Sequence, residues 1–289
     1  MKEVVVLSGK GGTGKTTLVG SLAVLAENKV LADCDVDAAD LHLLLNPVQK
    51  QKSEFWSGQA AYIDPDRCTQ CGLCGEICRF GAIRDFEVDP VSCEGCGFCA
   101  RACPDAAIVM KDTLSGHWFV SDSRFGPMVH ARLGIAQENS GKLVATVRQQ
   151  AKKIAEREGR SLILCDGPPG IGCPVISSLS GASLALLVTE PTLSGMHDLD
   201  RVLDVCRHFG VRATVCINKY DLNETNTAQI EKQCSGRGVE IAGKIPFDNI
   251  VTESIVRGIP IVEHSDGRVA RAIREVWNAL SSILAPGTQ

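Results

Sequence analysis

Val4-Val5-Val6-Leu7-Ser8-Gly9-Lys10-Gly11-Gly12-Thr13-Gly14-Lys15-Thr16-Thr17-Leu18 decides the fold of this 289-residue chain. Four apolar residues make a buried strand, a glycine-rich loop follows, and Leu18, Leu22 and Leu25 open a helical repeat. A loop between strand and helix turns its backbone N–H groups and the positive helix end toward one spot, which suits a phosphate. In G-x-x-x-x-G-K-T, Lys15 is expected to reach the β- and γ-phosphates of a nucleotide, and the Thr16 hydroxyl to hold Mg2+. The predicted nucleotide contacts here are Gly9, Lys10, Gly11, Gly12, Thr13, Gly14, Lys15, Thr16 and Thr17.

Outward from this stretch, strands are predicted near 3–8, 29–33, 161–165, 183–188, 211–217 and 239–245. Helices alternate with them near 15–27, 142–158, 192–209, 224–235 and 267–284. Continuous apolar strands alternating with helices imply an α/β fold: a mostly parallel sheet in three layers, with helices on both faces. Ligands in such sheets bind beyond the strand carboxyl ends. Asp33-Cys34-Asp35 and Cys165-Asp166 both fall there. With 44% hydrophobic residues the chain can bury a large core, yet no apolar run approaches the roughly 20 residues of a spanning helix. Met1 to Leu7 has none of the marks of a signal peptide, so a cytoplasmic location is expected. The net charge of −4 offers no basic footprint, and neither nucleic acid nor membrane is an expected partner.

Between these elements lie two C-x2-C-x2-C-x3-C runs: Cys68, Cys71, Cys74, Cys78, and then Cys93, Cys96, Cys99, Cys103 before Pro104. Zinc sites pair cysteines two at a time, and disulfide frameworks belong to small secreted chains. The spacing resembles that of bacterial two-cluster ferredoxins, where the fourth cysteine of each run serves the other cluster. One [4Fe–4S] cluster is then expected on Cys68, Cys71, Cys74 and Cys103, the other on Cys78, Cys93, Cys96 and Cys99. Arg79 departs from the ferredoxin pattern, which has proline after the fourth cysteine. Residues 60–112 hold nine acidic and five basic side chains, so the insert carries the chain's acidity. The predicted domains are 57–112, a small α+β ferredoxin-like insert, and 1–56 with 113–289, a discontinuous nucleotide-binding domain. Residues 47–60 and 111–128 read as the links between them.

Lys10-Gly11-Gly12-Thr13-Gly14-Lys15-Thr16 resembles the deviant phosphate loop of the MinD/ParA-type P-loop ATPases, related to the Mrp-type and nitrogenase iron protein group. The resemblance implies that Lys10 reaches phosphate across a dimer. It makes Asp35 the residue that positions the attacking water near Mg2+, supported by Asp33. Leu162 to Gly170 resembles the Walker B segment, with Asp166 holding a Mg2+-bound water. Asn218 would meet adenine, and Pro246-Phe247-Asp248 would close over the base. Asn218-Lys219-Tyr220-Asp221 also fits the guanine-reading N-K-x-D pattern, leaving Asp221 as either a base reader or a turn residue, with ATP the expected nucleotide. Val129 to Leu133 and Glu138 to Val144 resemble the members of this superfamily that carry an inserted ferredoxin domain.

The implied function is a slow, Mg-dependent ATPase that forms a homodimer in the ATP state, or a heterodimer with a paralogous ATPase. Its cycle would control the two clusters for electron transfer to, or metallocluster assembly on, a redox or acceptor protein that the sequence does not identify. The alternatives are a MinD/ParA-like positioning switch with redox-sensing clusters, and a cluster carrier. The terminal helix with Arg268, Arg271 and Arg274 on its polar side reads as core packing rather than a membrane-surface helix. Cys173 lies seven residues after Asp166, where the nitrogenase iron protein has a cluster ligand, but reads as a small structural residue. Cys34, Cys165, Cys206, Cys216 and Cys234 read as packing.

Overall fold

The computed structural model describes residues 1–134 and 140–285, so Glu138 and Asn139 of the superfamily-like segment lie outside the described residues. The chain divides into two compact units. The first holds Met1–Lys52, Trp118–Arg132 and the chain from Ser140; the second is Ser53–His117 with the residues that follow Arg132.

The strands in chain order are β1 (Lys2–Ser8), β2 (Lys29–Asp33), β3 (Val48–Ile63), β4 (Ile83–Arg84), β5 (Glu87–Val88), β6 (Ile108–Ser123), β7 (Gly126–Leu133), β8 (Leu162–Pro169), β9 (Leu184–Thr189), β10 (Ala213–Asn218) and β11 (Glu240–Ile245). Nine of them form one sheet, in the order β11-β10-β9-β1-β8-β2-β7-β6-β3. From β11 to β7 every neighbouring pair is parallel. Side chains alternate between faces along a strand, and Val4, Val5, Val6 and Leu7 are all at most 1% exposed. Both faces of β1 are therefore covered, as a parallel sheet requires. One layer of helices is built from Lys15–Leu25, which packs with Leu41–Leu45, Ile261–His264 and Arg268–Leu284. Another is built from Ser140–Glu158 on Cys173–Leu179. The terminal helix buries Val269, Ile273, Val276 and Leu280 in this core. Among the described residues no helix is long and apolar enough to cross a membrane.

The segments 47–60 and 111–128 do contain the divides between the two units, at Lys52/Ser53 and His117/Trp118, but as strand rather than loop. They lie mostly within the long strands β3 and β6 and the start of β7. Lys50 meets Asp122, Ser57 accepts from Ser115, and Gln59 donates to Asp112, so partner numbers fall as residue numbers rise and the pair is antiparallel. β3 is mostly solvent-facing and β6 is partly so, which gives β3 above all the polar composition of a loop.

In the second unit the two cysteine runs fold alike. Positive φ recurs at matching places, Gln70 and Gly95, Gly72 and Gly97, Gly81 and Ala106. Gly72 and Gly97 each begin a short helix in the left-handed conformation that costs glycine least. The halves also close on each other: Asp64 N–H donates to the Ala107 carbonyl, and Asp89 N–H to the Ala82 carbonyl, both at 2.8 Å. Ala61, Ile63, Ile83 and Ile108 form the small core, against which six of the eight cysteines pack.

Candidate functional site

The phosphate loop lies at the carboxyl end of β1, and Gly14, at φ 88°, starts the helix Lys15–Leu25 with no side-chain cap. Its first N–H groups are left for a ligand, as an anion site at a helix start requires. The loop borders a cleft of about 640 Å3, lined by Gly11, Gly12, Gly14, Lys15, Thr16, Thr17 and Asp35, with Asn218, Pro246 and Phe247 farther along. Gly9 does not line it; a Cβ there would stand 2.3 Å from Asp198 Cβ, so this glycine permits close packing. Gly14 is constrained twice, by its φ and by Asn218 Nδ2, 2.5 Å from where a Cβ would be.

Three carboxylates gather beneath the loop. Asp33 and Asp166 stand in register on β2 and β8, and are 0% and 1% exposed. Burial and then the Asp166 and Asp35 charges push the Asp33 carboxyl well above the usual range. It accepts from the N–H groups of Asp35 and Leu41, both at 3.2 Å, and so holds the loop between them. Asp166 is raised to about 7, mainly by burial, with Lys15 and Thr16 opposing the rise. Neither of its oxygens has a hydrogen-bond partner among the described residues. Asp35 is raised by burial and drawn back by Lys15, whose Nζ lies 4.0 Å from Oδ2. A buried, unpartnered carboxylate beside a phosphate loop fits a cation, and Asp166 with Thr16 and Asp35 could supply the ligands.

Lys10 does not line the cleft. Its Nζ lies 3.4 Å from Glu190 Oε2 and from the hydroxyls of Thr192 and Ser194. Glu190 also binds Lys219 Nζ at 2.5 Å. Sequence reasoning missed Glu190 and its pairing with Lys219 of the N-K-x-D stretch; the available signal was an acid just past the end of the apolar strand β9.

At the base end, Asn218 Nδ2 donates to the Thr13 carbonyl at 2.8 Å and its Oδ1 accepts from Lys219 N–H, so Asn218 ties β10 to the phosphate loop. Asp221 is outside the cleft lining. Its Oδ1 accepts from Phe247 N–H at 2.7 Å and its Oδ2 meets Arg268 at 3.4 Å, while Arg268 also bonds Asp248 at 3.0 Å. Asp221 and Arg268 thus clamp Pro246-Phe247-Asp248 along the cleft.

Residues 4–261 match the CobQ/CobB/MinD/ParA nucleotide binding domain family. The chain belongs to this family. It is a P-loop ATPase of the MinD/ParA type, with the mostly parallel α/β fold of that group. The uncharacterised Methanocaldococcus jannaschii protein MJ0578 is 33% identical over 285 residues, which are 98% of this chain and 97% of that protein. Among solved structures, the MinC:MinD cell division protein complex of Aquifex aeolicus is similar in fold (TM-score 0.60, 20% identity, 100% of this chain and 99% of that one). So is the septum site-determining protein MinD complexed with Mg-ADP from Pyrococcus horikoshii (TM-score 0.57, 19% identity, 98% and 97%).

In the second unit, Cys68, Cys71, Cys74 and Cys103 line one small cavity with Ile63, and Cys78, Cys93, Cys96 and Cys99 line another with Ala61. All eight are free thiols. Among the described residues no three His, Cys, Asp or Glu side chains group closely enough for a single metal ion. The clusters expected on these cysteines are therefore not seen as a metal-binding group among the described residues. Ala107 N–H donates to Cys103 Sγ at 3.3 Å, and Arg79, in the place of the usual proline, lies against Phe80. Cys34, Cys165, Cys206, Cys216 and Cys234 are buried. Cys173, read as a structural residue, is instead exposed in the first turn of the helix Cys173–Leu179.

Proposed function

We propose that this chain is a cytoplasmic ATP-driven switch whose ATP state is a homodimer. The observation that carries the reading is the split between its two loop lysines. Lys15 is inside the cleft against Asp35, whereas Lys10 is held outside by Glu190, Thr192 and Ser194. A lone subunit therefore presents one cation to the phosphates, and the second is available to a partner subunit. Asp35 would hold the attacking water, Lys15 would neutralise the phosphates, and Thr16, Asp35 and Asp166 would hold Mg2+. The metal supplies charge neutralisation when bound. Commitment of Asp221 to the Phe247 N–H and Arg268 favours adenine over guanine.

Similarity to cell-division and septum-site ATPases favours a positioning switch over the electron carrier expected from the sequence. The two four-cysteine cavities favour a further reading, in which the second unit carries two [4Fe–4S] clusters as the element that the switch presents to its client. Such clusters supply one-electron chemistry. The chain's own part is to exclude water with Ile63, Ile83 and Ile108 and to donate to a ligand sulfur from Ala107 N–H, both of which tune a cluster's potential.

Sedimentation of the full chain tests the switch. With Mg2+ and a non-hydrolysable ATP analogue it should sediment as a dimer, and with Mg-ADP as a monomer. Lys10→Ala should bind the analogue yet remain monomeric and inactive, and Asp35→Ala should stay dimeric with ATP. A wild-type chain that hydrolyses ATP as a monomer would overturn the proposal.

A further inference from the structure

A second cavity of about 510 Å3 lies in the ATPase unit, apart from the nucleotide cleft, and is lined from β3, β6, β7, the helix Leu41–Leu45 and the loops on either side of that helix. Its lining includes Lys52, Arg132, His42, His130, Phe119 and Ser121, and it contains no carboxylate among the described residues. That is unusual in a chain of net charge −4. Neither Lys52 nor Arg132 forms a salt bridge with a described residue. Both cations are exposed and face an open cavity with no anion to offset them. One wall is a ladder of flat rings: Phe119 stacks on His130 at 4.9 Å, and His130 faces His42 at 6.1 Å with 9° between planes. Ser121 Oγ fixes His130 through Nε2 at 3.0 Å. His42 Nδ1 is enclosed and has no hydrogen-bond partner among the described residues. Burial, with His42 and Arg132 nearby, lowers the His130 pKa to about 4, so at neutral pH the ring stacks uncharged.

The size is that of a small-molecule pocket, the charge calls for an anion, and the ladder calls for a planar ring. We propose that this cavity is a second ligand site, for a small planar-ring compound bearing a phosphate or carboxylate, held by Lys52 and Arg132 with its ring on the Phe119–His130 wall. Ala39 sits on the same loop as Asp35, Asp37, Ala38 and Asp40, which line the nucleotide cleft, and His42 is in the helix Leu41–Leu45 that follows this loop. Whatever fills the cavity therefore bears on the segment that Asp33 holds.

Phenyl phosphate and inorganic phosphate serve as probes. Each is titrated calorimetrically into the anaerobically purified full chain, with Mg2+ and a non-hydrolysable ATP analogue filling the phosphate loop. Phenyl phosphate should bind saturably at one site, about fivefold more tightly than inorganic phosphate because of its ring. Arg132→Glu and Lys52→Glu should each weaken both probes about tenfold or more, since each removes a charge-assisted contact and adds repulsion. Affinity for the ATP analogue, measured without phenyl phosphate, should stay within about twofold of the wild type, which also shows that these variants fold. Phe119→Ala should remove the advantage of phenyl phosphate while sparing inorganic phosphate. No saturable binding of phenyl phosphate, or binding unchanged in both charge-reversed variants, would overturn the site. A fivefold preference that survives Phe119→Ala would overturn the ring assignment.

Discussion

Asp166→Asn should make the nucleotide-free protein more stable at pH 8 while abolishing ATP hydrolysis. The Asp166 carboxyl is 1% exposed, has no donor among the described residues and faces Asp33 across two strands. Its pKa is raised to about 7 from the ordinary 3.8. Three units correspond to roughly 4 kcal/mol of penalty once the folded protein must ionise it. The sign follows from proton uptake. The folded state binds the proton more tightly than the unfolded state, so this group's stabilising contribution is full at acid pH and lost as pH rises through about 7. Asparagine cannot ionise. After allowing about 1–2 kcal/mol for an imperfectly bonded amide, the variant should gain about 2 kcal/mol over wild type at pH 8. At pH 5 it should have no advantage. Urea unfolding without nucleotide or divalent cations, followed through Trp277 packed on the core, reads the difference. Equal effects of the substitution at pH 5 and pH 8 would mean that the carboxylate is not a repelled, unpaired charge, and the case for a cation beside it would fail.

Three further outcomes are expected. On the proposed two-cluster reading, anaerobically purified protein should carry iron and sulfide, Cys78→Ser should perturb the spectrum of the cluster on Cys93, Cys96 and Cys99, and Cys103→Ser that of the cluster on Cys68, Cys71 and Cys74. Protein without iron would refute the clusters, and the reverse pattern the crossed cavities. Asp221→Ala should weaken ATP about tenfold by loosening Phe247 and Arg268, with no gain in GTP over ATP; selective loss of GTP binding instead would make Asp221 a base reader. Lys29, whose Nζ donates to the Ala26 carbonyl at 2.7 Å, has its pKa lowered to about 8, first by burial and then by Arg160. Wild type should gain on the order of 2 kcal/mol relative to Lys29→Met between pH 7 and pH 10, because the folded state sheds this proton first; a pH-independent difference would contradict that burial.

The parallel half of the sheet was legible because Val4–Leu7, Leu162–Cys165 and Leu184–Val188 are buried on both faces and announce themselves by unbroken hydrophobicity. The strands β3 and β6 were not, because a half-exposed antiparallel pair alternates weakly, and Lys, Gln and Ser in it imitate a linker. The phosphate loop and the cysteine runs were readable as local spacings. The Glu190 pairs with Lys10 and Lys219 and the Asp221–Arg268 clamp were not, since each joins elements distant in sequence. The role of Gly9 also depended on a neighbour, Asp198, that no pattern around the loop could name.

The exchange of N–H bonds between Asp64 and Ala107, and between Asp89 and Ala82, makes the cysteine unit an interlocked pair rather than two beads on a string. Each cavity takes three cysteines from one half and its fourth from the other. Ordering either half thus fixes a wall of both cavities, and the entropy of that ordering is lost once, by whichever occupant arrives first. On the proposed two-cluster reading, filling should be cooperative: the second occupant would meet a finished cage, and half-filled chains should be scarce at equilibrium. By the same coupling, removing one occupant loosens the other, so the unit should fail as a whole rather than by halves.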